Sequence, residues 1–233
     1  MILKIRHKTR HQYGNEVSFG NHALFLRPLE NHRRRVLDFR VETTPESDQR
    51  WVQDAYGNLV LACNFGLKTS RELAFTADFR VALTEDNPFN FILEPYAVGF
   101  PFSYEERDKQ ALAPFLGKQA RRGELRVLDW FYHAVPEPVQ HSSVVQFLGD
   151  LCDAVRRDID YQARDEEGVQ AADRTLQLRS GSCRDMAVLF MAVVRQLGLA
   201  ARFVSGYLYD PPVGAGGTHV FNRAVGSMHA WVE

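Results

Sequence analysis

The stretch Arg179-Ser180-Gly181-Ser182-Cys183-Arg184-Asp185-Met186-Ala187, followed by an apolar run to Leu197 and then Gly198, decides how this chain is read. It places a cysteine on the first turn of a buried helix. Ser182 suits the N-cap, and Asp185 three residues later fits the capping-box position. Cys183, Met186, Ala187, Phe190, Met191, Val194 and Leu197 recur at helical spacing with further apolar residues between them, so most of the helix surface is covered. Gly198 supplies the left-handed residue that ends it. Residues 202–209 then carry Phe203, Tyr207 and Tyr209 among β-forming neighbours, which predicts a strand.

A cysteine in that position has a chemical use. The free N–H groups and positive end of a helix favour a thiolate, and such settings bring a cysteine from a pKa of about 8.5 to roughly 3.5–7.5. The same N–H groups can receive an oxyanion when sulfur attacks a carbonyl. The alternative is a small residue buried at a helix start, since free cysteine is among the most buried types. A second segment separates the two readings. Met228-His229-Ala230-Trp231-Val232-Glu233 is strand-like, with His229, Trp231 and Glu233 on one face and Met228, Ala230 and Val232 on the other. A histidine held on a strand beside an aromatic ring can act as the base of a Cys–His pair.

Four motifs in order, Gly181-x-Cys183-x-Asp185-x-Ala187, Arg195-x-x-Gly198-Leu199-Ala200-Ala201-Arg202, Val204-Ser205-Gly206-Tyr207 and His229-Ala230-Trp231-Val232-Glu233, resemble the core of the transglutaminase-like superfamily. The resemblance implies a fold related to papain-type cysteine proteases and a Cys-His-Asp triad, with Cys183 as nucleophile and His229 as base. In that family the aspartate lies on the next strand, which here falls beyond Glu233. The expectation is therefore a core incomplete at its C-terminal end, weakly active or inactive by itself. Tyr13-Gly14, Leu26-Arg27-Pro28 and Asp54-x-Tyr56-Gly57-Asn58 also look like the β-sandwich that precedes the core in bacterial members.

The remainder of the chain agrees with an α+β protein of two parts: an antiparallel β-sandwich over 1–100 and a papain-like core over 101–233. Leu37, Phe39 and Val41, and later Leu73, Phe75, Ala77, Phe79, Val81 and Leu83, alternate with smaller or polar residues as strands with one buried face do. Asp54-Ala55-Tyr56-Gly57-Asn58 between two apolar runs predicts a hairpin, with Gly57 and Asn58 supplying positive φ. Residues 87–102, rich in proline and aromatics, predict a connector that packs down. A helix is expected over 104–116, opened by Ser103 with Glu106 three residues on. Val144, Phe147, Leu148, Leu151, Cys152, Val155 and Ile159 form a helical stripe, so Cys152 reads as core, as does Cys63 in its strand pattern. Tyr161 reads as core more readily than as cleft lining. Beyond the strand at 202–209, residues 210–212 stop it and the glycines of 214–217 form a loop tip.

Composition narrows the function. A net charge of −1 argues against nucleic acid or an anionic membrane as partner. Three cysteines without a Cys-x-x-Cys fit a reducing compartment, and the charged N-terminus lacks a signal peptide's apolar core, so a cytoplasmic location is expected. The eight histidines lack metal-ligand spacing; His219 is the one that a hairpin could bring near His229. No metal or cofactor is expected. The chemistry expected is acyl transfer through a Cys183 thioester on a protein or peptide substrate, the acyl group passing to water or an amine, with protease or amidase action favoured. The competing reading is a non-catalytic protein-interaction module that keeps the fold.

Overall fold

The computed structural model describes residues 1–84, 87, 90–117, 125–135, 140–164, 166–209 and 227–233. The stop expected at 210–212, the glycines of 214–217 and His219 lie outside them. Contacts divide the chain into two units, Met1–Phe91 and Ile92–Glu233.

In the first unit, Leu73, Phe75, Ala77, Phe79 and Val81 share one face of strand β6 (Thr69–Leu83), and all five are buried. Alternation does this directly, because successive side chains point to opposite faces. β6 is the middle of an antiparallel sheet between β1 (Ile2–Ser18) and β3 (Arg34–Thr44). A second antiparallel sheet runs β2 (His22–Leu24), β5 (Leu59–Asn64), β4 (Asp48–Gln53). Leu61 and Cys63 of β5, with Phe65 just after it, meet Leu73 and Phe75 from the other sheet, with Phe19, Leu24 and Val41 around them, so the two sheets form a sandwich. Cys63 is core, as expected. Leu37 is not: a bulge between Val36 and Asp38 buries Val36 and leaves Leu37 42% exposed. In the β4–β5 hairpin only Gly57 adopts positive φ. Asn58 instead bonds through its N–H and side-chain amide to the Asp54 carboxylate, which also accepts the Tyr56 N–H.

The second unit contains α1 (Glu106–Leu112), α2 (Leu125–Ala134), α3 (Val144–Asp158), β7 (Asp160–Tyr161), α4 (Ala172–Leu178), β8 (Ser180–Gly181), α5 (Cys183–Gln196), β9 (Phe203–Leu208) and β10 (Ser227–Val232). Helix α1 is shorter than the spacing predicts. Its N-cap is Glu105 without a side-chain cap, and the chain tightens to a 3₁₀ turn at Ala113–Phe115, where Pro114 has no N–H to continue the ladder. Ser143 caps α3, accepting the Gln146 N–H at 3.3 Å. Cys152 is exposed rather than core: it stands about 100° around the helix from the fully buried Leu151, off the apolar stripe. Phe131, Phe147, Leu151, Leu189 and Val193 are completely buried, joining α2, α3 and α5 in one core. The connector packs down onto it, with Phe100 stacked on Phe147 at 3.9 Å between ring centres. No helix among the described residues is long and apolar enough to cross a membrane.

Removing Phe147 takes the ring from between Phe100 and Phe131. Phe147→Ala should lower unfolding free energy by about 3–5 kcal/mol in urea denaturation, whereas Ile92→Ala should cost under about 0.5 kcal/mol. The contrast follows from burial, since Phe147 is 0% and Ile92 99% exposed.

Candidate active site

The chain reaches Cys183 by a tightly specified route. Arg179 ends α4 in the left-handed conformation at φ 50° and turns the backbone into β8. β8 lies parallel to β7, with Ser180 beside Asp160 and Gly181 beside Tyr161. The Asp160 N–H donates to the Arg179 carbonyl at 2.8 Å, and the Gln162 N–H to that of Gly181 at 2.9 Å. Tyr161 is 62% exposed and not core; its ladder partner is a glycine with no side chain to cover it. Ser182 is the N-cap of α5, and Cys183, a free and half-buried thiol, is its first residue. The N–H groups of Cys183 and Arg184 head the helix with no carbonyl of a preceding turn to accept them.

Asp185 holds this turn together. Its carboxylate is completely buried and accepts the Ser182 N–H at 2.8 Å and the Ser182 hydroxyl at 2.9 Å. It also accepts the Gln170 N–H at 2.7 Å and both its oxygens meet Arg164 Nη1, at 2.7 and 2.9 Å. Burial pushes this carboxyl up, but the Gln170 N–H, the Arg164 guanidinium and the Ser182 donors outweigh burial and bring it to about 2. Gly181 is required by the same arrangement, since a β-carbon there would lie 2.8 Å from Cβ of Asp185. Arg184 adds a second tie to the loop preceding α4, donating to the carbonyls of Arg164 at 2.9 Å and Glu166 at 3.3 Å.

At its other end α5 stops where Gly198 turns left-handed, at φ 85°. Arg195 donates to the Ala201 carbonyl, the Ala201 N–H to the Phe115 carbonyl, and the Ala200 N–H to the Tyr104 hydroxyl. These bonds aim the chain into β9, which pairs antiparallel with β10. His229 stands opposite Gly206, and Trp231 opposite Val204. The indole leans over Gly206, where an added β-carbon would meet its ring at 2.5 Å, so it lies alongside the half-buried His229 on the same strand face. Ala230 and Val232, on the opposite face, enter the core. Arg202 and Glu233 close the ladder with two backbone bonds and an ion pair at 2.6 Å. Tyr207, opposite Met228, is pushed up to about 12 by burial and remains a neutral phenol.

Cys183 therefore heads a helix that packs against the strand carrying His229. A half-buried thiol at the positive end of a helix, with an imidazole on the adjoining strand, has the parts for nucleophilic attack on a carbonyl. Arg164, Gln170 and Arg184 are the site residues not identifiable beforehand. Arginines in a polar segment look alike whether solvated or buried, and Gln170 acts through its backbone. No group of three or more His, Cys, Asp or Glu able to hold a metal occurs among the described residues.

Comparison with known proteins agrees with this architecture. Residues 3–82 match the bacterial transglutaminase-like N-terminal region, and residues 133–233 match the transglutaminase-like superfamily. Uncharacterized proteins of Mycobacterium bovis and Mycobacterium tuberculosis are 28% identical over an alignment 242 positions long, covering 99% of this chain and 72% of theirs. The crystal structure of a proposed cysteine protease from Cytophaga hutchinsonii superposes with a TM-score of 0.66 at 17% identity, covering all of this chain and 72% of the other. The fold is thus an N-terminal pair of antiparallel sheets followed by a papain-like α+β core.

Two outcomes follow from the geometry. Asp185 has its carboxyl depressed in the folded state, so its stabilisation is full above pH about 4 and is lost as pH falls toward about 2. On the order of 2 kcal/mol should disappear in that window, and urea midpoints followed from pH 5 to 2 should show the loss in the parent and not in Asp185→Asn. Gly206→Val should displace the indole from beside His229, read as a shifted tryptophan emission maximum and a lowered thermal midpoint.

Proposed function

We propose, from the premise that this chain belongs to the transglutaminase-like superfamily, that it is a cysteine acyl-transfer enzyme acting on protein or peptide carboxamides. The observation that carries the reading is Cys183 on the first turn of α5 with α5 packed against the His229 strand. In the first half-reaction the Cys183 sulfur forms a bond to the carbonyl carbon, and the oxyanion takes hydrogen bonds from N–H groups at the helix start. The carbon–nitrogen bond then breaks, and the leaving amine takes the proton held by His229, leaving a thioester. In the second, His229 draws a proton from water or an amine, that nucleophile attacks the thioester, and the thiol is restored.

Hydrolysis is favoured over cross-linking, in keeping with the proposed protease activity of the Cytophaga hutchinsonii protein of the same fold. Tyr161, beside Gly181 on the route to Cys183, is exposed and open to contact with a substrate chain.

Incubation with glutaminyl peptides and peptide amides, with and without a primary amine, tests the reading. Slow release of ammonia or amine is expected, with an acyl-enzyme mass on the peptide containing Cys183. Cys183→Ala should abolish turnover, and His229→Ala should reduce it by about 10²-fold or more. Turnover that survives Cys183→Ala would rule the reading out.

A further inference from the structure

We propose that Arg164 is a positioning residue for Cys183: its guanidinium neutralises Asp185 inside the first turn of α5, leaving the positive helix end free to stabilise the Cys183 thiolate. The inference rests on Cys183 being the nucleophile.

The Gln170 N–H is taken by one Asp185 oxygen and the Ser182 N–H and hydroxyl by the other, so both oxygens must accept, which a carboxylate does and a neutral amide does not. The turn therefore carries a buried anion, which is costly to desolvate unless paired. That anion sits two residues after Cys183 in the turn whose field must favour a thiolate. Left bare, it would oppose a thiolate on the same turn, as a like charge does. Arg164 removes that opposition. Its side chain is only 18% exposed, and one Nη1 reaches both Asp185 oxygens. Arg184 fixes the Arg164 and Glu166 carbonyls, so the guanidinium is carried by an anchored backbone. Together the two arginines and Asp185 pin a loop some twenty residues upstream onto the head of α5, and the Arg164–Asp185 pair adds no net charge to it.

The other charged or titratable groups on the surrounding elements do not share this role. Glu166 meets Arg164 Nε at 3.4 Å but is 72% exposed and screened by solvent. Asp160 and Tyr161 lie on β7, Asp173 and Arg174 on α4, Tyr207 on β9 and His229 on β10, whereas the donors on Asp185 are Arg164, Gln170 and Ser182. On α2, Asp129 and His133 face each other; on α3, Arg157 holds Asp158; Arg202 holds Glu233 after β10. Among the described residues, Arg164 is the cation paired with the Asp185 charge.

The test is the rate of iodoacetamide alkylation of Cys183 against pH, mapped by mass spectrometry, in the parent, R164Q, D185N, R164K and R164Q/D185N. Near-UV circular dichroism of each variant reports its fold. Neutralising Arg164 should raise the pH midpoint of alkylation by about one unit. Neutralising Asp185, which removes the anion and leaves the Arg164 cation unanswered at the head of the helix, should lower it. R164K and the double variant should return it to within a few tenths of the parent. Opposite shifts that cancel are a signature of charge, because loosening of the turn moves both single variants the same way. If R164Q does not fold, a lowered midpoint in D185N with recovery in the double variant supports the proposal. Equal midpoints, or shifts of one sign, overturn it. A parent midpoint like that of Cys152, unmoved by His229→Ala, would remove the nucleophile reading, yet the sign pattern at Arg164 and Asp185 would still decide this one.

Discussion

The head of helix α5 depends on one carboxylate shut away from water. Asp185 is fully buried, and four donor groups converge on it: the Ser182 N–H and hydroxyl, the Gln170 N–H and the Arg164 guanidinium. Such a group is tolerable only when its partners are complete, because an unpaired buried charge costs several kcal/mol. Completeness constrains the sequence around it. Gly181 must lack a β-carbon to let the Asp185 side chain pass. Arg179 must turn left-handed to bring Ser180 and Gly181 beside β7. The loop from Arg164 to Gln170 must come down onto the helix. Cys183 inherits its orientation from all of these, although it takes part in none of the Asp185 bonds.

The histidine side of the site is held differently. A short antiparallel pair positions His229 by register, with Gly206 opposite it and the Trp231 indole filling the space that Gly206 leaves open. The same strand buries Ala230 and Val232 against the core that α5 shares, so one face is anchored while the other presents the imidazole. Cys183 and His229 thus sit on separate rigid elements, each locked by its own hydrogen bonds, which favours precise geometry over adaptability. Between them the long α5 is fastened at both ends, by Asp185 at its start and by Arg195 and the Tyr104–Ala200 bond at its finish.

Much of this was legible in the sequence because local rules and the global fold agree. The alternation in β6, the capping of α5 by Ser182, the Gly198 stop and the β9 strand all follow from period and turn chemistry. The departures have physical causes. Leu37 is turned out by a bulge that no pattern announces, Cys152 misses the stripe by one residue, and Pro114 tightens the first helix early. Asp185 was legible as a cap but not as the hub of a buried cluster. Its partner Arg164 lies twenty-one positions away in a polar stretch, and only the tertiary fold reveals that a charge among solvated charges has been buried.

The central claim is that Cys183 and His229 face one another as a working pair, and a bifunctional thiol reagent tests it most directly. 1,3-Dibromoacetone first alkylates a reactive cysteine and then bridges to a nucleophile within reach of its short acetone linker. Peptide mapping after treatment at pH 6 is expected to show Cys183 joined to His229, with Cys63 and Cys152 unmodified. Alkylation of Cys183 without a bridge, or a bridge from Cys183 to any residue other than His229, would contradict the account.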